Sequence, residues 1–225
     1  MTEPGTATAG RLASVNLGRL GANSAAAAGV SGIDKRPADG PVAVRAPGVP
    51  GIGGLVGDKI VDSRHHGGDD QAVYAYARED MDAWSSDLGR PLPPGCFGEN
   101  LTTEGVDVTG ARLGEHWRVG EVLLQVTAVR IPCGTFAAWL GEQRWVRRFT
   151  ERGAPGAYLR VLEPGSIRAG DPVTVVHRPA HGVTVGTAFR ALMQDPDLLP
   201  HVLTAGDDLA PKLRAHIQRR TRTAG

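Results

Sequence analysis

Three times along the chain a glycine-bounded turn ends in an acid: Gly54-Leu-Val-Gly57-Asp58, Gly110-Ala-Arg-Leu-Gly114-Glu115 and Gly165-Ser-Ile-Arg-Ala-Gly170-Asp171. Glycine supplies positive φ and the acid closes the turn by hydrogen bonding, so each unit reads as an entry from turn to strand and not as a gene-level repeat. The chain holds 31 Gly and 16 Pro in 225 residues, roughly 21% against a typical level of about 12%. Turn residues at that density, without low-complexity repetition, predict many short strands in a barrel or closed sandwich. The expected class is mainly β with helices.

The periodicity places the elements. Arg11–Gly18 alternates loosely as a first strand after a frayed leader, residues 1–10. Gly21–Gly40, with its alanine run, reads as loop or marginal helix. Pro41–Ala46 is a clear strand with Val42 and Val44 on one face, and Gly57–Arg64 continues extended. From Ala72 to Leu88 the apolar residues Val73, Ala77, Met81, Trp84 and Leu88 follow helical spacing, with Asp69 or Asp70 as N-cap and Gly89 as terminator. His116–Val119 and Glu121–Val129 are strands, Thr135 to about Glu151 is a helix, and Tyr158–Leu162 and Val173–Val176 are late strands. After a linker, 177–182, the pattern becomes helical: Thr184 caps one helix, Asp195-Pro196 opens a second, and Asp207 or Asp208 caps a third. The predicted organisation is a barrel over 11–178 and a small three-helix bundle over 183–220, packed on the barrel because alone it has little core.

Composition excludes several classes. A formal net charge of +1 gives no electrostatic reason to expect a nucleic acid polymer as partner. No apolar run reaches the roughly 18 residues that span a bilayer, and the N-terminal residues lack the pattern of a secretory signal. Two cysteines form at most one disulfide, so a disulfide-stapled scaffold is excluded. The expected setting is cytoplasmic, as a monomer or homodimer.

Three segments could carry chemistry. In Val129-Arg130-Ile131-Pro132-Cys133-Gly134 a strand ends and a thiol stands at the start of a helix beside an arginine. Dipole and charge there favour the thiolate, which can attack electrophiles, carry sulfur or ligate a soft metal; otherwise Cys133 is a small inert hydrophobe. Arg64-His65-His66-Gly67-Gly68-Asp69-Asp70 is a polar turn between a strand and a helix, either an anion site or a hydrogen-bonded cap. Adjacent histidines on extended chain point to opposite sides and do not chelate together. Pro94-Gly-Cys-Phe-Gly-Glu-Asn-Leu101 reads as a tight turn in which Glu99 and Asn100 are structural. Cys96, Cys133 and His65 or His66 lack the spacing of a zinc site. No Walker loop, GxGxxG or GxSxG motif is present.

Taken together, Gly32-Ile-Asp-Lys-Arg-Pro37, Gly40-Pro-Val42, Gly57-Asp58, His66-Gly-Gly-Asp-Asp-Gln-Ala-Val-Tyr-Ala-Tyr76, Gly98-Glu-Asn-Leu-Thr102, Gly114, Arg130-Ile-Pro-Cys133, Tyr158-Leu-Arg160 and Gly170-Asp171 resemble the MOSC domain family, over residues 12–178. The likeness is closest to its stand-alone members of the YiiM type, whose helical appendage the C-terminal segment resembles. The resemblance implies a β-barrel that binds a molybdenum–pterin cofactor, with Cys133 as the molybdenum ligand. It implies His66 and Asn100 as catalytic groups, and Arg64, Gly67, Gly68, Glu99, Arg130 and Arg160 near the cofactor; the family is also associated with pyridoxal phosphate.

Members of this family reduce N-hydroxylated compounds, including hydroxylamino base analogues and amidoximes, with electrons from a separate flavin reductase. Two cysteines cannot hold a four-thiolate iron–sulfur cluster, which agrees with an external donor. The expected function is therefore a molybdenum-dependent reductase acting on small N-hydroxylated substrates, in detoxification. The alternatives are a sulfur carrier with a persulfide on Cys133, and a non-enzymatic pterin- or anion-binding domain.

Overall fold

A computed structural model describes residues 9–49, 51–62 and 66–223. In chain order its elements are β1 (Ala9–Ala22), β2 (Val30–Pro37), β3 (Val42–Val44), β4 (Val73–Ala77), α1 (Arg78–Leu88), β5 (Leu101–Glu104), β6 (His116–Val119), β7 (Val122–Val129), α2 (Gly134–Leu140), α3 (Trp145–Arg152), β8 (Ala157–Glu163), β9 (Gly165–Ile167), β10 (Pro172–His177), α4 (Val185–Met193), α5 (Leu199–Leu203) and α6 (Pro211–Thr223). The sheet runs β10-β6-β7-β8-β4-β5-β1, and pairing of β10 with β1 closes it into a seven-stranded barrel. Closure removes the free edges that would otherwise recruit other strands. β2 extends the sheet as a hairpin on β1, β3 pairs with β9 in a separate ribbon, and β4–β5 is the one parallel pair among the described strands.

Alternation along the strands builds the barrel core. Trp117 and Val119 of β6, Val122, Leu124 and Val126 of β7 and Leu159 of β8 are fully buried. A second apolar layer lies where the helices cover the sheet. Tyr76 meets the edge of Phe97, and the rings of Phe97, Phe136, Trp145, Phe149 and Trp84 continue the stack. Such edge-to-face contacts each contribute about 0.5–1.5 kcal/mol beyond area burial.

The three C-terminal helices dock on this layer. Phe189 of α4 meets Phe149, Gln194 donates to the Thr150 carbonyl, and Val185 and Gly186 donate to the Ala111 and Thr109 carbonyls. Thr184 caps α4 as expected, its hydroxyl accepting from the Thr187 N–H at 3.0 Å.

Several local expectations are corrected. Gly21–Gly40 is not a loop or helix: it contains β2, and only Asn23–Gly29 forms the turn of the β1–β2 hairpin. The helix expected from Ala72 begins at Arg78, because Val73–Ala77 is a strand buried on both faces, whose continuous apolar run mimics helical spacing. Asp69 and Asp70 lie in a short 3-10 turn, Asp69–Gln71, and cap no α-helix. The helix expected over Thr135–Glu151 is two helices, broken by Gly141 and by Arg144, both left-handed. Residues 57–62 form no strand, and Asp207 and Asp208 lie in a 3-10 turn ahead of α6. β5 and β9 were not anticipated. The second glycine of each turn unit has the expected positive φ, 94° at Gly57, 86° at Gly114 and 92° at Gly170, whereas Gly54, Gly110 and Gly165 do not.

Candidate functional site

β7 ends at Val129, and four residues later the chain turns into α2. Pro132 disfavours helical backbone at Ile131, and Cys133 is extended (φ −132°, ψ 170°) and occupies the N-cap position of α2. Its carbonyl accepts from the Ala137 N–H at 3.0 Å, but its thiol makes no capping bond. Cys133 is a free, partly exposed thiol, whereas Cys96 is free and buried, its sulfur 4.0 Å from that of Met81. Burial pushes the Cys96 thiol pKa far up, which makes it inert.

Arg130 precedes Cys133 by three residues. Its guanidinium is buried, lies 3.9 Å over the centroid of Phe136 and 5.0 Å over that of Tyr74, and donates to the Phe97 carbonyl. Aromatic faces and a carbonyl hold this cation in place. Tyr74 and Tyr158 face each other in register across β4 and β8, with ring centroids 5.1 Å apart.

The tight turn before β5 supports Arg130. Gly95 (φ 86°) and Gly98 (φ 73°) are left-handed, and the turn is tied together by Glu99. The Glu99 side chain is wholly buried, accepting from the Gly95 N–H, the Phe97 N–H (3.0 Å) and the Thr102 hydroxyl (2.8 Å). Burial raises its pKa, while those three donors oppose the shift. Glu99 thus braces the turn that presents the Phe97 carbonyl.

Asn100 is equally committed. Its Oδ1 accepts from the Tyr74 N–H at 3.1 Å, and its Nδ2 donates to the Asn16 carbonyl and to Asp58, the latter at 2.9 Å. Asp58 also accepts from the Gly18 N–H at 2.6 Å and holds Lys35 in an ion pair. Lys35 was given no role from sequence, although three lysines against 22 arginines made it a legible signal, and Asp58 was expected only to close its own turn.

The glycine–histidine segment lies beyond this network. The His66 N–H donates to the Asp62 carbonyl at 3.0 Å, and Gly67 (φ 77°) and Gly68 (φ 84°) carry the chain into the 3-10 turn. A Cβ on Gly67 would lie 2.9 Å from the Ile52 carbonyl oxygen, so the close approach of two backbones requires glycine there. Asp70 in that turn accepts from Arg160 of β8, through Nε at 3.0 Å and through Nη2, while Nη1 donates to Gln125 at 3.2 Å. Arg64 and His65 lie outside the described residues.

The structure packs Arg130 against Tyr74 and Phe136, three residues before Cys133, and turns Glu99 and Asn100 into braces. Among the described residues no three His, Cys, Asp or Glu side chains converge as a metal site. What Cys133 offers is a single soft ligand, which fits a metal that brings its remaining ligands with an organic cofactor. No helix among the described residues is long and apolar enough to cross a membrane.

The family model described as "MOSC domain" matches residues 62–174. The uncharacterized protein YflK of Bacillus subtilis is 34% identical over 165 residues, 73% of this chain and 72% of that protein. A protein named "Reductase" from Gibberella moniliformis is 31% identical over 175 residues, 76% of this chain but 30% of its own length. Among solved structures, YiiM from Geobacillus stearothermophilus superposes with a TM-score of 0.76 at 27% identity, covering 94% of this chain and 98% of that one.

Proposed function

Since this chain belongs to the MOSC domain family, we propose that it is a molybdenum-cofactor-dependent reductase of N-hydroxylated compounds such as amidoximes and hydroxylamino base analogues, with Cys133 as the molybdenum ligand. One observation carries the reading: Cys133 is free and partly exposed, is spent neither on a disulfide nor on capping α2, and follows the buried Arg130 by three residues. A partly exposed cysteine with no covalent or capping partner, close in sequence to a fixed cation, is suited to bind a soft metal as thiolate. The relative named as a reductase supports the reaction class.

When bound, the cofactor supplies the two-electron chemistry at nitrogen. The overall reaction is R–NHOH + 2e⁻ + 2H⁺ → R–NH₂ + H₂O. The chain's own residues hold and orient. Cys133 anchors the metal, and Arg130 places positive charge beside the thiolate. Arg64, His66, Gly67, Gly68 and Arg160 serve the anionic part of the cofactor, with Asp70 and Gln125 fixing the Arg160 fork. Glu99 and Asn100 keep the framework of the site in register. The electrons come from a separate flavoprotein reductase, because two cysteines cannot assemble a four-thiolate iron–sulfur cluster.

The test is elemental analysis of protein purified from a host that makes molybdenum cofactor, wild type beside Cys133→Ala, followed by amidoxime turnover with a reduced flavoprotein donor. Near-stoichiometric molybdenum and turnover are expected in the wild type alone. Turnover retained by Cys133→Ala would overturn the reading. Molybdenum in neither protein, with loading verified on a control enzyme, would overturn it in favour of the persulfide carrier.

A further inference from the structure

We infer that the β1–β2 hairpin is a strap across the Cys133 segment, latched by the Asn23 side chain, and that it limits the size of what reaches the thiol. The inference concerns access to Cys133 and holds whether that thiol binds molybdenum or carries a persulfide. Within β1, residues 9–15 pair with β10 and β5, whereas residues 17–22 pair with β2 alone among the described strands. The hairpin thus leaves the barrel as a two-stranded ribbon. Such a ribbon is marginal by itself, so its position is set by what it touches.

Its contacts bracket Cys133. On β2, the Gly32 backbone lies against the Lys59 carbonyl with no room for a side chain. The next residue, Ile33, packs at Gly98: a Cβ there would stand 3.0 Å from Ile33 Cγ1 and 3.8 Å from Arg130 Nη1. The tip reaches the other end of the segment. Asn23 Nδ2 donates to the carbonyl of Thr135, in the first turn of α2, at 3.1 Å. A Cβ on Gly134 would stand 3.9 Å from that of Ala25, which sets the Ala25 methyl within about 9 Å of the Cys133 Cα, one peptide unit away. The ribbon therefore runs from Arg130 to residues 134 and 135, with Cys133 between.

Asn23 is what holds the tip down. Residues 24–30 are exposed or half-buried, yet Asn23 is only 6% exposed. Its two polar atoms have separate tasks. Oδ1 accepts from the Ala25 N–H at 3.1 Å and shapes the turn, as a loop asparagine commonly does. Nδ2 makes the bond to α2, which the turn itself does not need. Residues 25–28 are all alanine, so the tip brings backbone and methyl groups over this segment and no long side chain. A short tip on a single polar latch leaves a narrow approach that admits small molecules and opens when the latch is cut.

The test is the rate of Cys133 alkylation in the full chain, made in a host without molybdenum cofactor so that the thiol is unoccupied. N-ethylmaleimide is compared with the larger fluorescein maleimide, and the ratio of the two rates cancels any change in the thiol itself. Asn23→Asp keeps the acceptor for the Ala25 N–H but sets a carboxylate against the Thr135 carbonyl, and Asn23→Ala removes both bonds. In each, labelling by the larger reagent is expected to rise about 3- to 10-fold, as loss of one ordinary hydrogen bond allows, and labelling by N-ethylmaleimide by less than about 2-fold. The buried Cys96 stays unlabelled, which shows that the barrel is intact. Ala25→Phe, at an exposed position, acts in the opposite sense and slows the larger reagent selectively, whether or not the Asn23 variants fold. A wild-type rate ratio in Asn23→Asp and in Ala25→Phe would overturn the inference, as would equal acceleration of both reagents accompanied by labelling of Cys96. The reductase reading fails on other results, the molybdenum content and turnover of Cys133→Ala.

Discussion

The ammonium of Lys35 lies 2.5 and 2.6 Å from the two carboxylate oxygens of Asp58, and both side chains are almost wholly buried. Asp58 takes two further bonds, from the Gly18 N–H and the Asn100 amide, so the pair joins β1, β2 and the loop after β3 to the strand that follows the Glu99 turn. Burial lowers the Lys35 pKa, and Asp58 opposes it. Removing the ammonium leaves a buried carboxylate with only neutral donors. Lys35→Met is expected to lose about 3–5 kcal/mol of stability, and Lys35→Met with Asp58→Asn less than the sum of the single changes. Urea unfolding of the four proteins checks this, and additive losses would show that the pair is not coupled.

The two cysteines are expected to differ in reactivity. In the native protein a maleimide should label Cys133, which is partly exposed, and should reach Cys96 only after unfolding. Cys133→Ala should cost no more than about 1 kcal/mol, since Cys133 is only partly buried against the core. Cys96→Ser buries a hydroxyl against Met81 and should cost about 1–3 kcal/mol. Peptide mapping by mass spectrometry and thermal melts read both effects; labelling of Cys96 at the same rate as Cys133 would contradict the burial on which the contrast rests.

Gly95 is the tightest point between the Glu99 turn and β2. It is left-handed at φ 86°, and a Cβ there would stand 2.3 Å from the Lys35 carbonyl oxygen. Both the backbone conformation and the contact oppose a side chain, so Gly95→Ala should cost more than the roughly 1 kcal/mol of a strained φ alone. Because the same turn presents the Phe97 carbonyl to Arg130, loss of stability should be accompanied by loss of molybdenum. Elemental analysis at a temperature where the variant remains folded separates the two, and full metal content would disconnect the turn from the site.

What was legible in the sequence divides along chain distance. Arg130 and Cys133 lie three residues apart on a strand-to-helix passage, so propensity and Pro132 place them together without tertiary information. β6, β7, β8 and β10 were legible because one face is apolar and the turns before β6 and β10 are marked by Gly-acid pairs. β4 was not, since Val73–Ala77 is buried on both sides and its spacing runs on into α1. Nor was the role of Asp58, whose partners Lys35 and Asn100 are 23 and 42 residues away. Glu99 and Asn100 were placed at the site by family resemblance, and the structure gives them the bracing role that their own local pattern predicts.

The junction between barrel and C-terminal helices should be sensitive to acid. His116 of β6 and His177 of β10 lie with ring centroids 4.7 Å apart. Burial and the neighbouring His177 lower the His116 pKa, and Asp208 opposes them, leaving it below the ordinary value of 6.5. The unfolded chain therefore binds this proton more readily than the folded one. As pH falls, stability from this group is complete above 6.5 and is lost on the way down through the folded pKa. Melting temperatures recorded between about pH 8 and pH 5 should thus fall more steeply for the wild type than for His116→Gln, which carries no such proton. Parallel slopes for the two proteins would mean that His116 titrates alike in the folded and unfolded chains, and that the acid sensitivity arises elsewhere.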